Sequence, residues 1–275
     1  KFSSKDPSEK RQQEWESPWG TGFPGWHLEC SAMIKALLGN SIDVHTGGID
    51  HIPTHHNNEI AQSEGATGKP LANIWMHGEF LIIDKARMGK SEGNFLTLES
   101  VIEKGFSPLD YRYLTLTAHY RSKLNFTWDS LAASATAREK LLNAVRALRE
   151  SDQKRKKDGR ETLAGGEAKR RFVQAIQDDL NMPIAISTVW YVLGSEKLSD
   201  NAKLKLILDF DRVLGLGLDE VKTEKIPAEI KKLAEERESA RRNKDWAQAD
   251  EIRRRIEKAG FLLKDNPDGP HIQKL

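Results

Sequence analysis

The stretch "SIDVHTGGIDHIPTHHNNEIAQSEGATGKPLANIWMHGEFLIID", Ser41 to Asp84, sets the fold class. Its opening, "SIDVHTGG", has the character of a short strand running into a glycine turn. "HHNNEIAQSEGATG" reads as a helix closed by glycine, and "WMHGEFLIID" as a second strand. Strand, helix and strand in that order predict part of an open α/β sheet with a site at the strand ends. Just upstream, "CSAMIKALLG" carries apolar residues at helical spacing and stops at Gly39.

Beyond Leu98 the β signal fades. "TLESVIEKGFSPLDYRYLTLTAHY" has helical periodicity with a break at Pro108, and further helices are predicted from Asp129 to Arg149 and from Ala168 to Gly215. "ESDQKRKKDGRETLAGGE" between them reads as a charged loop. Ile226 to Gly260 reads as helix, turn, helix, with Trp246, Ala249, Ile252 and Ile256 on one face, and the tail "FLLKDNPDGPHIQKL" looks extended. The expected organisation is a connector at 1–25, an α/β piece at 26–98, an all-α helical bundle at 99–220 and a small C-terminal helical module at 221–275. No internal repeat is visible.

Composition narrows the function classes. Among 275 residues no apolar run approaches the roughly 20 needed to cross a bilayer, so no membrane role is expected. The start, "KFSSKDPSEKRQQEWESPW", has neither an initiator Met nor an apolar signal core, and reads as the middle of a longer protein. A single cysteine excludes an internal disulfide framework and suits a reducing, cytoplasmic setting. A net charge of +2 means that any nucleic-acid contact must come from local patches.

Within "PTHHNNEIAQSE", His55 and Glu59 stand four apart and would share a helix face, while Cys30 would open the helix 25 residues before His55. Imidazole, carboxylate and thiolate all bind Zn²⁺, and a tetrahedral site takes four such donors. Taken alone, this spacing favours the plainer reading, in which Cys30 is a small buried hydrophobe and His55 and His56 are surface or turn residues.

The surrounding motifs add to this. "GWHLECSAM", "DVHTGGID", "HHNNEIAQSE", "WMHGEFL" and "RMGKSEGNFLT" follow in that order, and "DDLNMPIA" and "ARRNKDWAQADEIRRRIEKAGFLLKDNPDG" continue the pattern. This series resembles the cysteinyl-tRNA synthetases, class I aminoacyl-tRNA synthetases, over essentially the whole chain. The resemblance implies the second half of a Rossmann-like catalytic domain followed by tRNA-binding helices. It implies a zinc ion held by Cys30, His55 and Glu59, with His56 as the second choice of histidine, and a fourth ligand supplied by the family's N-terminal half. That half, with the HIGH-type ATP motif, is then an implied partner, and the chain alone is expected to be inactive. Zinc would bind the thiol of cysteine and so tell it from serine, a distinction worth only about a hundredfold in an apolar pocket.

"RMGKSEGN" is similar to the family's KMSKS loop, which makes Arg87, Met88, Lys90 and Ser91 the catalytic candidates. Lys90 would hold the phosphates of ATP, with its Mg²⁺, as pyrophosphate leaves. Gly89 replaces the usual serine and Glu92 adds a negative charge. By the same resemblance Gly48 and Asp50 face the adenylate; Trp26 reads as lining the cysteine pocket rather than filling the core, and His27 and His77 as either site or structural residues, with His77 taken as a substrate-side candidate. tRNA(Cys) is the implied partner of Arg112, Arg121, Lys123, Arg138 and Lys140, with Tyr113, Tyr120 and Trp128, and of Arg241, Arg242, Lys244, Arg253, Arg254 and Arg255 near Trp246. Two other readings stand beside cysteine–tRNA ligation: a non-catalytic RNA-binding or partner subunit on the same fold, and a cysteine–amino sugar ligase. The second lacks the C-terminal tRNA-binding helices that this chain has the pattern for.

Overall fold

The computed structural model describes residues 3, 6, 11–83, 86–87, 96–152, 161–222, 227–266 and 269–274. Helix α1 (Trp26–Leu37) leads into strand β1 (Ile42–Gly48), a 3-10 turn (Ile49–His51), a π-helical turn (Ile52–His56), α2 (Asn57–Thr67) and β2 (Ala72–Gly78). β1 and β2 pair in parallel from Ile42 opposite Ala72 to Gly48 opposite Gly78. A parallel pair needs a crossover between its strands, and α2 is that crossover. Gly68 ends α2 in the left-handed conformation, its N–H donating to the Glu64 carbonyl.

The strand expected over "WMHGEFLIID" is two strands. β2 stops at Gly78, and β3 (Leu81–Ile83) joins a separate sheet of order β4–β3–β5, with β4 at Ala86–Arg87 and β5 at Leu124–Phe126. β5 runs parallel to β3 and falls where the sequence pattern shows no strand. Three residues are too few to carry a legible alternation, and only pairing with β3 makes them a strand.

The helices follow local signals closely. α3 (Leu98–Glu103) and α4 (Pro108–Leu116) each begin in a capping box, built by Thr97 with Ser100 and by Ser107 with Asp110. Pro108 stands at the first helical position of α4, where its missing N–H is no loss. α5 (Trp128–Asp152), α6 (Glu161–Gln177), α7 (Met182–Gly194) and α8 (Asp200–Leu214) complete a bundle. The predicted charged loop is therefore shorter than expected, because α5 and α6 extend into it; residues 153–160 lie outside the described residues. The bundle core contains Leu141, Val145, Val189, Ile207 and Phe210, with Phe172 and Phe210 stacked at 3.9 Å between ring centroids. Each fully buried side chain of this size contributes roughly 1.5–3 kcal/mol by leaving water.

Three basic residues expected to face nucleic acid are engaged within the protein. Arg112 donates from Nε to the Leu214 carbonyl at 2.5 Å, at the negative end of α8. Arg138 pairs with Asp110 at 3.2 Å, and Arg121 pairs with Asp179. Tyr113 is buried and its hydroxyl accepts from Trp190 Nε1.

The C-terminal segment holds α9 (Ala228–Arg242), α10 (Trp246–Lys258) and an antiparallel hairpin of β6 (Phe261–Asn266) and β7 (Gly269–Lys274). Ile230, Ala234, Ile252, Ile256, Phe261 and Leu263 form its core, so this module is helical with a β-hairpin packed on it. Trp246 departs from the face shared by Ala249, Ile252 and Ile256: it is 59% exposed, since the first helical residue lies beyond the end of the packed stripe.

Candidate metal centre

Five elements converge at one end of the β1–β2 pair. α1 brings Cys30, in its second turn rather than at its start, because the helix begins at Trp26. β1 brings His45, β2 brings Trp75 and His77, the π-helical turn brings His55 and His56, and the first turn of α2 brings Glu59. The Thr54 carbonyl in this turn accepts the Asn57 backbone N–H and, at 2.8 Å, the Asn58 side-chain amide. π-helical turns are rare and concentrate at functional sites.

The ligating atoms of Cys30, His55 and Glu59 all lie within 4.8 Å of one another. His55 and Glu59 share a face across the π-to-α junction, with His55 Nε2 at 3.6 Å from Glu59 Oε1. That spacing is too long for a good hydrogen bond. It is close to the edge of about 3.3 Å that two N or O donors make around zinc with bonds of 2.0–2.1 Å. Glu59 is 0% exposed, yet its Oε1 has no hydrogen-bond partner, and neither does His55 Nδ1. A buried carboxylate oxygen left without a donor is costly, and a cation would satisfy it. The thiolate, imidazole and carboxylate set is one that suits zinc, so the residues present fit that ion. Among the described residues, no fourth Cys, His, Asp or Glu side chain joins these three at that spacing.

The electrostatics of the cluster agree. Burial pushes the Cys30 thiol above its ordinary pKa, and the negative charges of Glu59 and Glu29 push it further. A divalent cation between thiol and carboxylate inverts that logic. Burial holds His55 below the ordinary imidazole pKa, in the neutral form that ligates. Burial also brings His56 down to about 4, with nearby His45 adding to the shift.

The histidine pair is divided by the fold. His55 turns to Cys30 and Glu59, whereas His56 shares a 2.8 Å hydrogen bond between its Nδ1 and His77 Nε2. Trp26 lies over His55 at 4.3 Å between ring centroids. Gly48 and Asp50 stand at the end of β1, and a Cβ on Gly48 would meet Asp50 Oδ1 at 2.4 Å. Arg87 lies in β4, paired by its backbone with Ile82, and Met88, Lys90 and Ser91 lie outside the described residues.

Residue-by-residue reading of the sequence missed His45, His51, Trp75 and Gly47. Six of the eight histidines fall between His27 and His77, and that density was the available signal. Gly47 is required by close approach, since a Cβ there would stand 2.5 Å from His56 Cε1.

The sequence model described as the class I (C) catalytic domain of tRNA synthetases matches residues 3–136, which contain the whole cluster. The model described as the cysteinyl-tRNA ligase anticodon binding domain matches residues 223–272, which contain α9, α10 and the hairpin. The chain belongs to the cysteinyl-tRNA synthetase family. It is 47% identical to a cysteine–tRNA ligase of Burkholderia lata, over 99% of this chain and 56% of that protein. A cysteine–tRNA ligase of Treponema denticola is 41% identical over 99% of this chain and 60% of its own length, and one of Protochlamydia amoebophila is 38% identical over 99% and 59%. The chain thus spans a little over half the length of the cysteinyl-tRNA synthetases that it matches.

Proposed function

We propose that this chain carries the thiol-selecting and anticodon-side parts of a cysteine–tRNA ligase, which activates cysteine with Mg²⁺-bound ATP and transfers it to tRNA(Cys). The observation that carries the reading is the buried triad of Cys30, His55 and Glu59, with Glu59 Oε1 left without a donor, in a chain of this family. Zinc held there would favour a soft thiolate over the hydroxyl of serine and would lower the thiol pKa. Cys30, His55 and Glu59 hold the ion, and Trp26 covers His55 on the side where substrate would lie. Gly48 and Asp50 are assigned to the adenylate, His77 to the cysteine side through its bond to His56, and Arg87, Met88, Lys90 and Ser91 to the ATP phosphates.

A further half of the catalytic domain is the proposed partner of the β1–β2 pair. Parallel strands are ordinarily covered on both faces. Here Val44 on β1 is 45% exposed and Ile74 on β2 55%. Such exposure supports cover by additional protein, which would also supply the fourth ligand. Exposed Trp246 at the start of α10 suits stacking on an unpaired base of the anticodon loop. No helix among the described residues is long and apolar enough to cross a membrane, and a cytoplasmic setting is part of the proposal.

The test is metal content and thiol selectivity in the chain itself. Purified protein should retain zinc, and Cys30→Ala should lose it. In a Co²⁺-substituted sample, added cysteine should intensify the sulfur-to-metal charge-transfer absorption that Cys30 already gives, and serine should not. Zinc unaffected by Cys30→Ala, or an equal response to serine, refutes the reading.

A further inference from the structure

Glu59 makes two different approaches with its two oxygens. Oε1 faces His55 at 3.6 Å without a hydrogen-bond partner, whereas Oε2 stands 2.8 Å from His45 Nε2. A carboxylate oxygen can only accept, so His45 presents an N–H there. His45, His56 and Glu59 also form a group of potential ligands within 4.8 Å. The distances decide between a second metal site and a support. A zinc ion between two N or O donors holds them about 3.3 Å apart, whereas 2.8 Å is the length of a charge-assisted hydrogen bond. His56 Nε2 is 3.8 Å from Glu59 Oε2, too far to bond it, and its Nδ1 is taken by His77.

From this geometry we infer that His45 is a positioning residue, which holds Oε2 of Glu59 so that Oε1 is turned to the ion bound by Cys30 and His55. The inference rests on the metal reading above and deepens it. The imidazole is itself held in place. His45 lies opposite Trp75 in the β1–β2 register, with ring centroids 4.8 Å apart, and its other neighbour is His56, also at 4.8 Å. A rigid strand therefore presents the donor, and Glu59 does not need to find its orientation when the metal arrives. Without the N–H, Glu59 can rotate and must be ordered at the moment of binding, which weakens the site without removing a ligand. Hydrogen-bonded support of this kind is worth roughly 10–100-fold in metal affinity.

The experiment measures zinc affinity of the full chain by competition with a chromophoric chelator, together with the Co²⁺ absorption spectrum. His45→Phe keeps the ring against Trp75 and removes the donor; His45→Gln restores an amide N–H. His45→Leu provides the same loss of donor should the larger ring disturb folding, which is checked by circular dichroism of the zinc-free proteins. The expected result is about 10–100-fold weaker zinc in His45→Phe or His45→Leu, an altered Co²⁺ spectrum, and His45→Gln within about threefold of the parent protein. Zinc affinity in the donor-less variants within threefold of the parent protein overturns the inference, and so does His45→Gln as weak as they are. In both cases Cys30→Ala still loses zinc. Retention of zinc by Cys30→Ala instead overturns the metal reading itself, so the two failures are distinguishable.

Discussion

Replacement of Gly47 by alanine probes how tightly the histidine cluster is packed against β1. Its φ lies outside the left-handed region, so alanine can adopt the backbone and space alone decides the outcome. The new Cβ would stand 2.5 Å from His56 Cε1, 2.7 Å from His56 Nε2 and 2.9 Å from His51 Nδ1. Contacts below 3.0 Å force a shift, and His56 has little freedom to give one. It is buried, hydrogen-bonded to His77 at 2.8 Å, and has Trp75 at 5.0 Å and His45 at 4.8 Å between ring centroids. Overpacking of this kind costs about 1–3 kcal/mol. The reduced entropy of the unfolded chain returns about 0.4–1 kcal/mol. The net expectation is a loss of about 1–2 kcal/mol, localised to the β1–β2 unit. Amide hydrogen exchange is the suitable assay, because the several cores of this chain need not unfold together. Amides of β1 and β2 should exchange roughly 5–30-fold faster in Gly47→Ala, with those of the α5–α8 bundle unchanged. Gly65→Ala is the matched control. Gly65 lies inside α2 with open space around its Cβ position, so the change should stabilise that helix by up to about 1 kcal/mol. Exchange in Gly47→Ala equal to or slower than in the parent protein would refute the packing argument.

Two further expectations concern the helical part. Buried Asp211 accepts from the Leu216 N–H at 2.8 Å and from the Leu218 N–H at 2.7 Å, holding the chain as it leaves α8. Asp211→Ala should cost about 2–4 kcal/mol, read as a lower urea midpoint, and Asp211→Asn less because one acceptor remains; equal midpoints would contradict this. Asp179 is held down at about 2, first by the hydrogen bond from the Arg121 guanidinium and then by the Tyr120 hydroxyl. A depressed carboxylate contributes stability above its unfolded pKa of about 3.9 and loses it as pH falls toward the folded value. The stability gap between the parent protein and Asp179→Asn should hold steady above pH 5 and shrink as the pH is lowered through 4 toward 2. A gap independent of pH over that range would show that the pairing is not what holds Asp179.

How much was legible in the sequence depends on the distance over which each feature is decided. The helix boundaries near Thr97, Ser107, Gly68 and Gly215 were readable because a cap is made by residues within a few positions of it. The strand–helix–strand order of β1, α2 and β2 was readable for the same reason, and the ordered motifs by themselves pointed to the family. The separation of His55 and Glu59 by four residues already placed them on one face. Other features were settled only by pairings distant in sequence. β5 became a strand through β3, more than forty residues earlier in the chain. Arg112 and Arg138, which read as nucleic-acid contacts, were claimed by α8 and by Asp110.

The same division runs through the site. By itself the sequence determined which donors are present: one thiol, a pair of adjacent histidines and a glutamate one turn on. Spacing alone did not separate His55 from His56, since residues three and four before Glu59 both share its face, and only the family resemblance ranked His55 first. Tertiary structure made that choice by laying α1 beside α2 and His77 beside His56, so that one imidazole meets Cys30 and the other a histidine. It also brought His45 from a different strand to the far oxygen of Glu59. Ligand identity is a property of residue types, whereas ligand orientation is fixed by what packs around them, and that comes from parts of the chain that meet only in the fold.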